Sequence, residues 1–243
     1  MTRRRWIADT WTATTATLTG DQAAHLARVL RATPGQIFDV VAGGFLHRAE
    51  ITSVSAGGDD KDSEVVFTLH EELESDTALP LHLLLAVFKF DHMEWAIEKA
   101  TELGVARITP ILARRTDKHL AQSAPKRAER WRRIALESSK QSRRTTIPSI
   151  EDPAPLKLTL ERETSPTRIL LSETEQATTI AAALASSPLS NIALAIGPEG
   201  GWTAEEMALF TSHMWQHVTL GPRILRAETA AIAAIAITSS HLL

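Results

Sequence analysis

The run Leu81-His-Leu-Leu-Leu-Ala-Val-Phe88 is apolar on both faces, which limits it to the centre of a sheet covered on both sides. Strands of that kind belong to parallel sheets, where crossover helices supply the cover. The rest of the chain has the matching rhythm. Asp91–Leu103 places Met93, Ile97 and Ala100 on one stripe and stops at Gly104. Arg107–Leu112, Ile169–Ser172, Ile192–Ile196 and Val218–Leu220 read as further strands; Ala124–Lys140, Gln176–Ala185, Ala204–Met214 and Ala227–His241 read as helices. The expected class is α/β, with a ligand at the carboxyl ends of the strands. No internal repeat is visible.

The first seventy or so residues follow a different pattern. Arg4–Asp9, Gln36–Val41, Phe45–Val54 and Glu64–His70 carry β-type patterns, with turns at Pro34-Gly35, Gly43-Gly44 and Gly57-Gly58. Asp21 is placed to cap a helix that displays His25, Arg28 and Arg31. A small β-barrel-like module is expected there. The polar stretch Glu71–Pro80 lacks periodicity and reads as a connection, so the expected domains are 1–72 and 81–243, with a linker at 73–80.

With 243 residues and 44% hydrophobic content the chain can bury a substantial core. It has no cysteine, which removes disulfides and thiolate metal sites, and no metal is expected. The basic start, Met1-Thr-Arg-Arg-Arg-Trp-Ile-Ala-Asp9, lacks the apolar stretch of a signal peptide, and no window approaches transmembrane length. The expected location is the cytoplasm. The formal net charge of −3 hides an asymmetry: Leu103–Ile150 holds 12 Lys/Arg and 3 Asp/Glu, net +9, against 14 and 26, net −12, elsewhere. An arginine-rich segment on an otherwise acidic chain suits a polyanion such as RNA, and Arg132 and Arg133 are candidate contacts; the plainer alternative is a solvated helix face.

Two glycine-punctuated loops carry the chemistry. Ile196-Gly-Pro-Glu-Gly-Gly-Trp-Thr-Ala-Glu-Glu206 and Leu220-Gly-Pro-Arg-Ile-Leu-Arg-Ala-Glu-Thr-Ala230 each follow a β-rich run and open a helix. That arrangement lets a backbone approach a small ligand closely. In the first, Gly197, Gly200 and Gly201 permit geometries and approaches that side chains would block, and Thr203 with Glu206 forms a capping box. A lone loop of this kind is more often a tight turn before a well-capped helix. This first loop is neither a dinucleotide fingerprint nor a phosphate-binding loop with its Lys and Ser/Thr. The alanines that follow the second loop, taken alone, indicate dense packing.

Taken together, the two loops resemble, almost letter for letter, the signatures of the RsmE-type small-subunit ribosomal RNA uracil-N3 methyltransferases of the SPOUT superfamily. The resemblance extends upstream. His25-Leu-Ala-Arg-Val-Leu-Arg31 with Gly35, Glu98-Lys-Ala-Thr-Glu-Leu-Gly-Val105, and the set Glu137, Gln141, Arg144 and Pro148 are similar to further family motifs. It implies a PUA-like RNA-binding barrel at residues 1–72 and a methyltransferase domain at 81–243 whose parallel sheet ends in a deep trefoil knot. The implied cofactor is S-adenosylmethionine, the assembly a homodimer, and the partner 16S ribosomal RNA of the small subunit, methylated at a uridine of the decoding region.

By motif match, cofactor contacts fall on Leu171, Ser172, Gly197, Pro198, Gly200, Gly201, Leu220, Gly221, Ile224, Leu225 and Arg226. A guanidinium that stabilises charge developing on uracil O2 and O4 would be supplied by Arg144, or next by Arg226; Glu199 is a proton acceptor or an orienting carboxylate, or it only fixes its loop. RNA contacts fall on His25, Arg28, Arg31, Arg143 and Arg144. Two positions depart from the family pattern: Lys140, where an acidic residue is common, and Arg143, where a small residue, often glycine, is common. An RNA-binding protein without catalysis would not need both cofactor loops. A relative acting on transfer RNA or on ribose is disfavoured by the N-terminal module and the Gln141/Arg144 pattern.

Overall fold

The computed structural model describes residues 5–75, 78–188 and 190–242. Arg4 of the first expected strand, the basic residues before it, and 76–77 of the expected linker lie outside the described residues. Two compact units are present. One holds the chain before Ala78 together with Ser139–Thr146; the other holds Ala78–Ser138 and the chain from Ile147 onward.

The first unit is one six-stranded sheet. Strands β1 (Trp6–Ile7), β2 (Thr10–Trp11), β3 (Thr15–Thr19), β4 (Ile37–Ala42), β5 (Phe45–Ser55) and β6 (Glu64–Leu73) lie in the order β1-β4-β5-β6-β3-β2. Every pairing is antiparallel except β1 with β4. Strands β1 and β2 are consecutive in the chain yet lie at opposite edges. The backbone between them spans both, Ala8 N donating to Val41 O at 2.8 Å and Asp9 N to Thr17 O at 2.9 Å, so the sheet closes on itself. Trp6, Leu18, Val40, Ile51 and Phe67 fill its interior.

Helix α1 (Gly20–Ala24) runs directly into a π-helical turn, His25–Val29, and together they bury Ala23 and Leu26. Asp21 does not cap this helix. Gly20, at φ +59, turns the chain sharply out of β3, so the helix begins two residues earlier, with Thr19 in the cap position and Asp21 in the first turn. There its carboxylate still complements the helix dipole. Strand β6 also runs past the expected end at His70, because Glu72 and Leu73 pair with His47 and Leu46.

The second unit has a parallel sheet. Strands β7 (Leu79–Ala86), β8 (Val105–Leu112), β9 (Ser149–Ile150), β10 (Ala154–Pro155), β11 (Thr167–Leu171), β12 (Ile192–Ile196) and β13 (Gln216–Val218) form the order β10-β8-β7-β12-β11-β13, with β9 also on β8. The run at residue 81 is its central strand. Leu81, Leu83 and Leu85 face one side, where helices α2 (Phe90–Glu102), α3 (Lys118–Gln141), α5 (Ile180–Ala185) and α7 (Ala227–Leu242) supply Met93, Ile97, Trp131, Leu184 and Ile235. Leu84 faces the other, where α4 (Leu156–Arg162) and α6 (Ala204–Ser212) supply Leu156, Leu160 and Phe210. Period-two alternation explains why both faces of β7 had to be apolar. Each leucine fully buried in this way contributes about 2 kcal/mol.

Several boundaries differ from expectation, each for a local reason. Helix α3 starts at Lys118 rather than Ala124, because Asp117 Oδ1 accepts His119 N at 2.8 Å and Leu120 N at 3.3 Å; Pro125 is carried inside the helix. Helix α5 starts at Ile180 rather than Gln176. Glu175 Oε1 accepts Ala177 N at 2.7 Å and Thr178 N at 3.0 Å, turning the chain, and Thr179 then caps the helix through Ala182 N. Met214 at φ +59 ends α6 early. Strand β13 ends at Val218, and Thr219 Oγ1 turns the chain by accepting Gly221 N at 3.1 Å.

Candidate active site

Strands β11, β12 and β13 are neighbours and parallel, so their carboxyl ends release three loops at one edge of the second unit. The loops enclose a cavity of about 1090 Å³. Leu171 and Ser172 enter it from the end of β11, residues 196–202 from β12, and residues 218–227 from β13. All of Gly197, Pro198, Glu199, Gly200, Gly201, Leu220, Gly221, Ile224, Leu225 and Arg226 line it. The lining comes wholly from the second unit, whereas Arg143 and Arg144 belong to the first.

The glycines play unequal parts. Gly221 holds φ +114 with open space where a Cβ would stand, and Gly201 holds φ +69 in a turn closed by its N–H on Pro198 O at 2.8 Å. Gly197 needs no unusual φ, but a Cβ there would come within 3.0 Å of Trp202 Nε1. At Gly200 a Cβ would meet only the Arg115 side chain, at 3.4 Å. Arg115 Nη1 donates to Gly200 O at 2.7 Å. Trp202 stands edge-on to Phe210, centroids 4.9 Å apart, and Phe210 edge-on to Trp215 at 5.2 Å, so the first loop rests on an aromatic stack.

Behind the loop, the expected capping box is present: Glu206 N donates to Thr203 Oγ1 at 3.3 Å and Thr203 N to Glu206 Oε2 at 2.8 Å. The apolar share of the lining includes Leu171, Ile196, Leu220, Ile224 and Leu225, and Ile224 is 83% exposed. An exposed isoleucine beside an open glycine cradle is ready to be covered by a flat apolar group. Arg223 and Arg226 enter the same space without a carboxylate in ion-pair distance among the described residues. Trp202 Nε1 is buried without an acceptor among the described residues. The cavity can take an uncharged aromatic base with a polar extension.

Sequence reasoning overlooked His92. It lines the cavity from the first turn of α2, and its Nδ1 lies 2.8 Å from Oε1 of the buried Glu228 at the start of α7. The available signal was topological: α2 follows the carboxyl end of the central strand, where ligands of parallel sheets gather.

The expected RNA contacts are distributed unevenly. Arg28 donates to Asp60 and to Gly57 O, Arg31 is exposed at φ +51, and the His25 ring lies 5.9 Å from that of Trp6. On α3, Arg132 Nε donates to Ile150 O at 3.0 Å and Arg132 Nη2 to Asp152 at 2.6 Å, while Arg133 is exposed with no ion pair among the described residues. Arg143 adopts φ +62, the conformation that glycine takes without cost. Arg5 donates to its carbonyl. Burial lowers the Arg144 guanidinium to about 10, which leaves it cationic at neutral pH but poorly hydrated.

A parallel α/β unit with a base-shaped pocket beside uncompensated arginines, joined to a small β-barrel, defines an enzyme that acts on nucleic acid with a nucleoside-type cofactor. The comparisons sharpen that class. An RNA methyltransferase domain matches residues 75–239 and an RNA methyltransferase PUA domain matches residues 18–58. The chain is 36% identical over 226 residues to Ribosomal RNA small subunit methyltransferase E of Synechocystis, covering 91% of this chain and 72% of that protein. It is 33% identical over 237 residues to the Bacillus subtilis protein of the same name, covering 93% and 90%. The crystal structure of Ribosomal RNA small subunit methyltransferase E from Neisseria gonorrhoeae bound to S-adenosyl methionine superposes with a TM-score of 0.82 at 28% identity, covering 98% and 97% of the two chains. The chain belongs to the RNA methyltransferase family, in the group of ribosomal RNA small subunit methyltransferase E proteins, and its N-terminal unit is PUA-like.

Proposed function

We propose that this protein transfers a methyl group from S-adenosylmethionine to N3 of a uridine in the decoding region of 16S ribosomal RNA. The observation that carries the reading is the convergence of Leu171–Ser172 and both glycine loops on one cavity. The residues fit the cofactor: the open cradle at Gly221 admits a close backbone approach, and Leu220, Ile224 and Leu225 offer an apolar enclosure for adenine. When bound, S-adenosylmethionine supplies a methyl group already activated by its sulfonium.

The chain then has two tasks, to align the uracil and to favour loss of its N3 proton. As that proton leaves, charge spreads to O2 and O4, where a poorly hydrated guanidinium stabilises it more than the ground state. Arg144 takes this role, with Arg226 next; Glu199, exposed on the first loop, orients the cofactor or its loop. N3 lies on the Watson–Crick edge, so the uridine must be unpaired when it reacts.

The wider reading follows the resemblance. The first unit, which takes in Ser139–Thr146 as well as the expected residues 1–72, helps to hold RNA through His25, Arg28 and Arg31; the second, which begins at Ala78 rather than at 81, is the catalytic domain, its C-terminal loops tied in a trefoil knot. Arg132, Arg133 and Arg143 contact RNA, and the enzyme works as a cytoplasmic homodimer without a metal. Among the described residues no helix is long and apolar enough to cross a membrane, and no three His, Asp or Glu side chains are grouped as a metal ion requires.

Single-turnover methylation of small subunits lacking the modification tests the reading. Wild type should form 3-methyluridine, and Arg144→Ala should lower the rate at saturating RNA far more than it weakens RNA binding. Absence of 3-methyluridine with wild type would refute the function; an unchanged saturating rate for Arg144→Ala would refute its catalytic role.

A further inference from the structure

The geometry points to His92 as the proton acceptor for uracil N3, held in the required tautomer by buried Glu228. We infer this from the pair at the cavity wall, and it rests on the functional reading above. His92 lines the cavity from the first turn of α2, about a third exposed, whereas the Glu228 side chain is 4% exposed at the first turn of α7. Nδ1 of His92 lies 2.8 Å from Glu228 Oε1. An ionised carboxylate only accepts hydrogen bonds, so Nδ1 carries the hydrogen, and the neutral ring keeps its lone pair on Nε2.

Among the described residues the buried carboxylate has no other partner, and Glu228 Oε2 is orphaned. Its position at the start of a 16-residue helix offers the dipole as compensation. A buried carboxylate on one ring nitrogen, with the other ring nitrogen available, is the arrangement that orients an imidazole as a base in hydrolases. The remaining charges around His92 leave that role open. Asp91 Oδ2, exposed, lies 3.6 Å from Nε2 and can move aside or stabilise the imidazolium once formed. The cations facing the cavity are Lys89, Arg115, Arg223 and Arg226, and the carboxylates Glu173, Glu175 and Glu199. Glu199 is the competing acceptor, but it is exposed on its loop and no buried group among the described residues orients it.

The step balances. Uracil N3 forms its bond to the methyl carbon, the carbon–sulfur bond breaks with its electron pair left on sulfur, and the N3 proton passes to Nε2. His92 becomes an imidazolium between Glu228 and Asp91 and returns its proton to water. His92 is thus a catalytic residue and Glu228 a positioning residue.

The test joins a kinetic and a spectroscopic measurement. In cofactor-free protein, nitrogen-15 NMR of the imidazole should show neutral His92 protonated at Nδ1, and Glu228→Gln should give mixed tautomers. The single-turnover rate of wild type should fall tenfold per pH unit on the acid side, along the imidazole titration seen by NMR. His92→Gln should lose about 10²-fold in rate at neutral pH, in line with the usual contribution of a general base, lose that acid limb, and keep its S-adenosylmethionine affinity within threefold. If His92→Gln keeps the wild-type rate and acid limb while forming 3-methyluridine, or if wild-type Nδ1 lacks the hydrogen, the assignment to His92 falls while the uracil-N3 reading stands. If wild type forms no 3-methyluridine, that reading falls and this inference with it. Should His92→Gln fail to fold, the wild-type tautomer and the Glu228→Gln rate, expected to drop at least tenfold, decide the matter.

Discussion

Glu206 Oε1 accepts the backbone N–H of Arg114 at 2.8 Å while its Oε2 accepts Thr203 N at 2.8 Å. One buried carboxylate therefore caps α6 and ties the glycine loop ahead of it to the segment following β8, whose Arg115 reaches back to Gly200 O. Removing it takes the acceptor from two partly buried donors at once. Glu206→Ala should cost about 3 kcal/mol of stability, against about 1 kcal/mol for Thr203→Ala, which loses only the cap. Urea unfolding checks the order, and equal losses would mean that the tie to Arg114 carries no weight.

Gly221 and Gly197 should fail for different reasons. Valine at 221 would have to hold φ +114, a strain of roughly 1–3 kcal/mol that the loop would relieve by moving away from the cavity. Valine at 197 would press on Trp202 and disturb the stack beneath the loop. Both should lose S-adenosylmethionine binding by calorimetry in folded protein, whereas Gly200→Ala should retain it within a few fold. Unchanged affinity in Gly221→Val would remove that loop from the cofactor site.

Glu163 gives stability a dependence on acid. Its side chain is 1% exposed, and burial alone would raise its pKa; hydrogen bonds from His82 and Ser165 outweigh that and lower it from 4.5 to about 2. The group behind them is continuous. His82 Nε2 lies 2.7 Å from Thr109 Oγ1, Thr109 donates to Glu151 at 2.7 Å, and Arg107 Nη2 lies 3.4 Å from Glu163. A depressed carboxylate stabilises the fold above its unfolded value and loses that stabilisation as pH falls through its folded value. The contribution, on the order of 3 kcal/mol, should be complete above about pH 5.5 and should fade between about pH 4.5 and 2. The stability gap between wild type and Glu163→Gln, followed by urea unfolding, should shrink across that window. A gap independent of pH would contradict the assignment.

The basic segment should not act uniformly on RNA. Each phosphate neutralised contributes a unit of salt dependence to binding. Arg133 is exposed with no ion pair among the described residues, whereas Arg132 is engaged by Asp152 and Ile150 O. Arg133→Ala should therefore lower the slope of log affinity against log salt by about one, and Arg132→Ala by less. Cofactor affinity should not change in either. If the slope is unaltered in Arg133→Ala, the arginines belong to a solvated face.

The parallel sheet was legible from Leu81–Phe88 because burial on two faces leaves its mark on every residue of a strand. The glycine loops were legible because a close backbone approach demands particular residue types, although which glycine needs φ beyond the ordinary range emerged only with the backbone, at Gly201 and Gly221. Helix α4 was missed because Leu156-Lys-Leu-Thr-Leu160 alternates like a strand; tertiary packing of Leu156 and Leu160 against Phe210 and Trp215 decides it. The His92–Glu228 and His82–Glu163 pairs join residues 136 and 81 positions apart. No local pattern encodes such partners.

The most direct measurement is the modified nucleoside itself, mapped in small-subunit RNA from cells with the protein, without it, and with Gly221→Val in its place. The expected result is one 3-methyluridine in the decoding region that disappears with the protein and stays absent with the variant. An unchanged modification map, or a lost methyl group on another base or on ribose, would contradict the assignment.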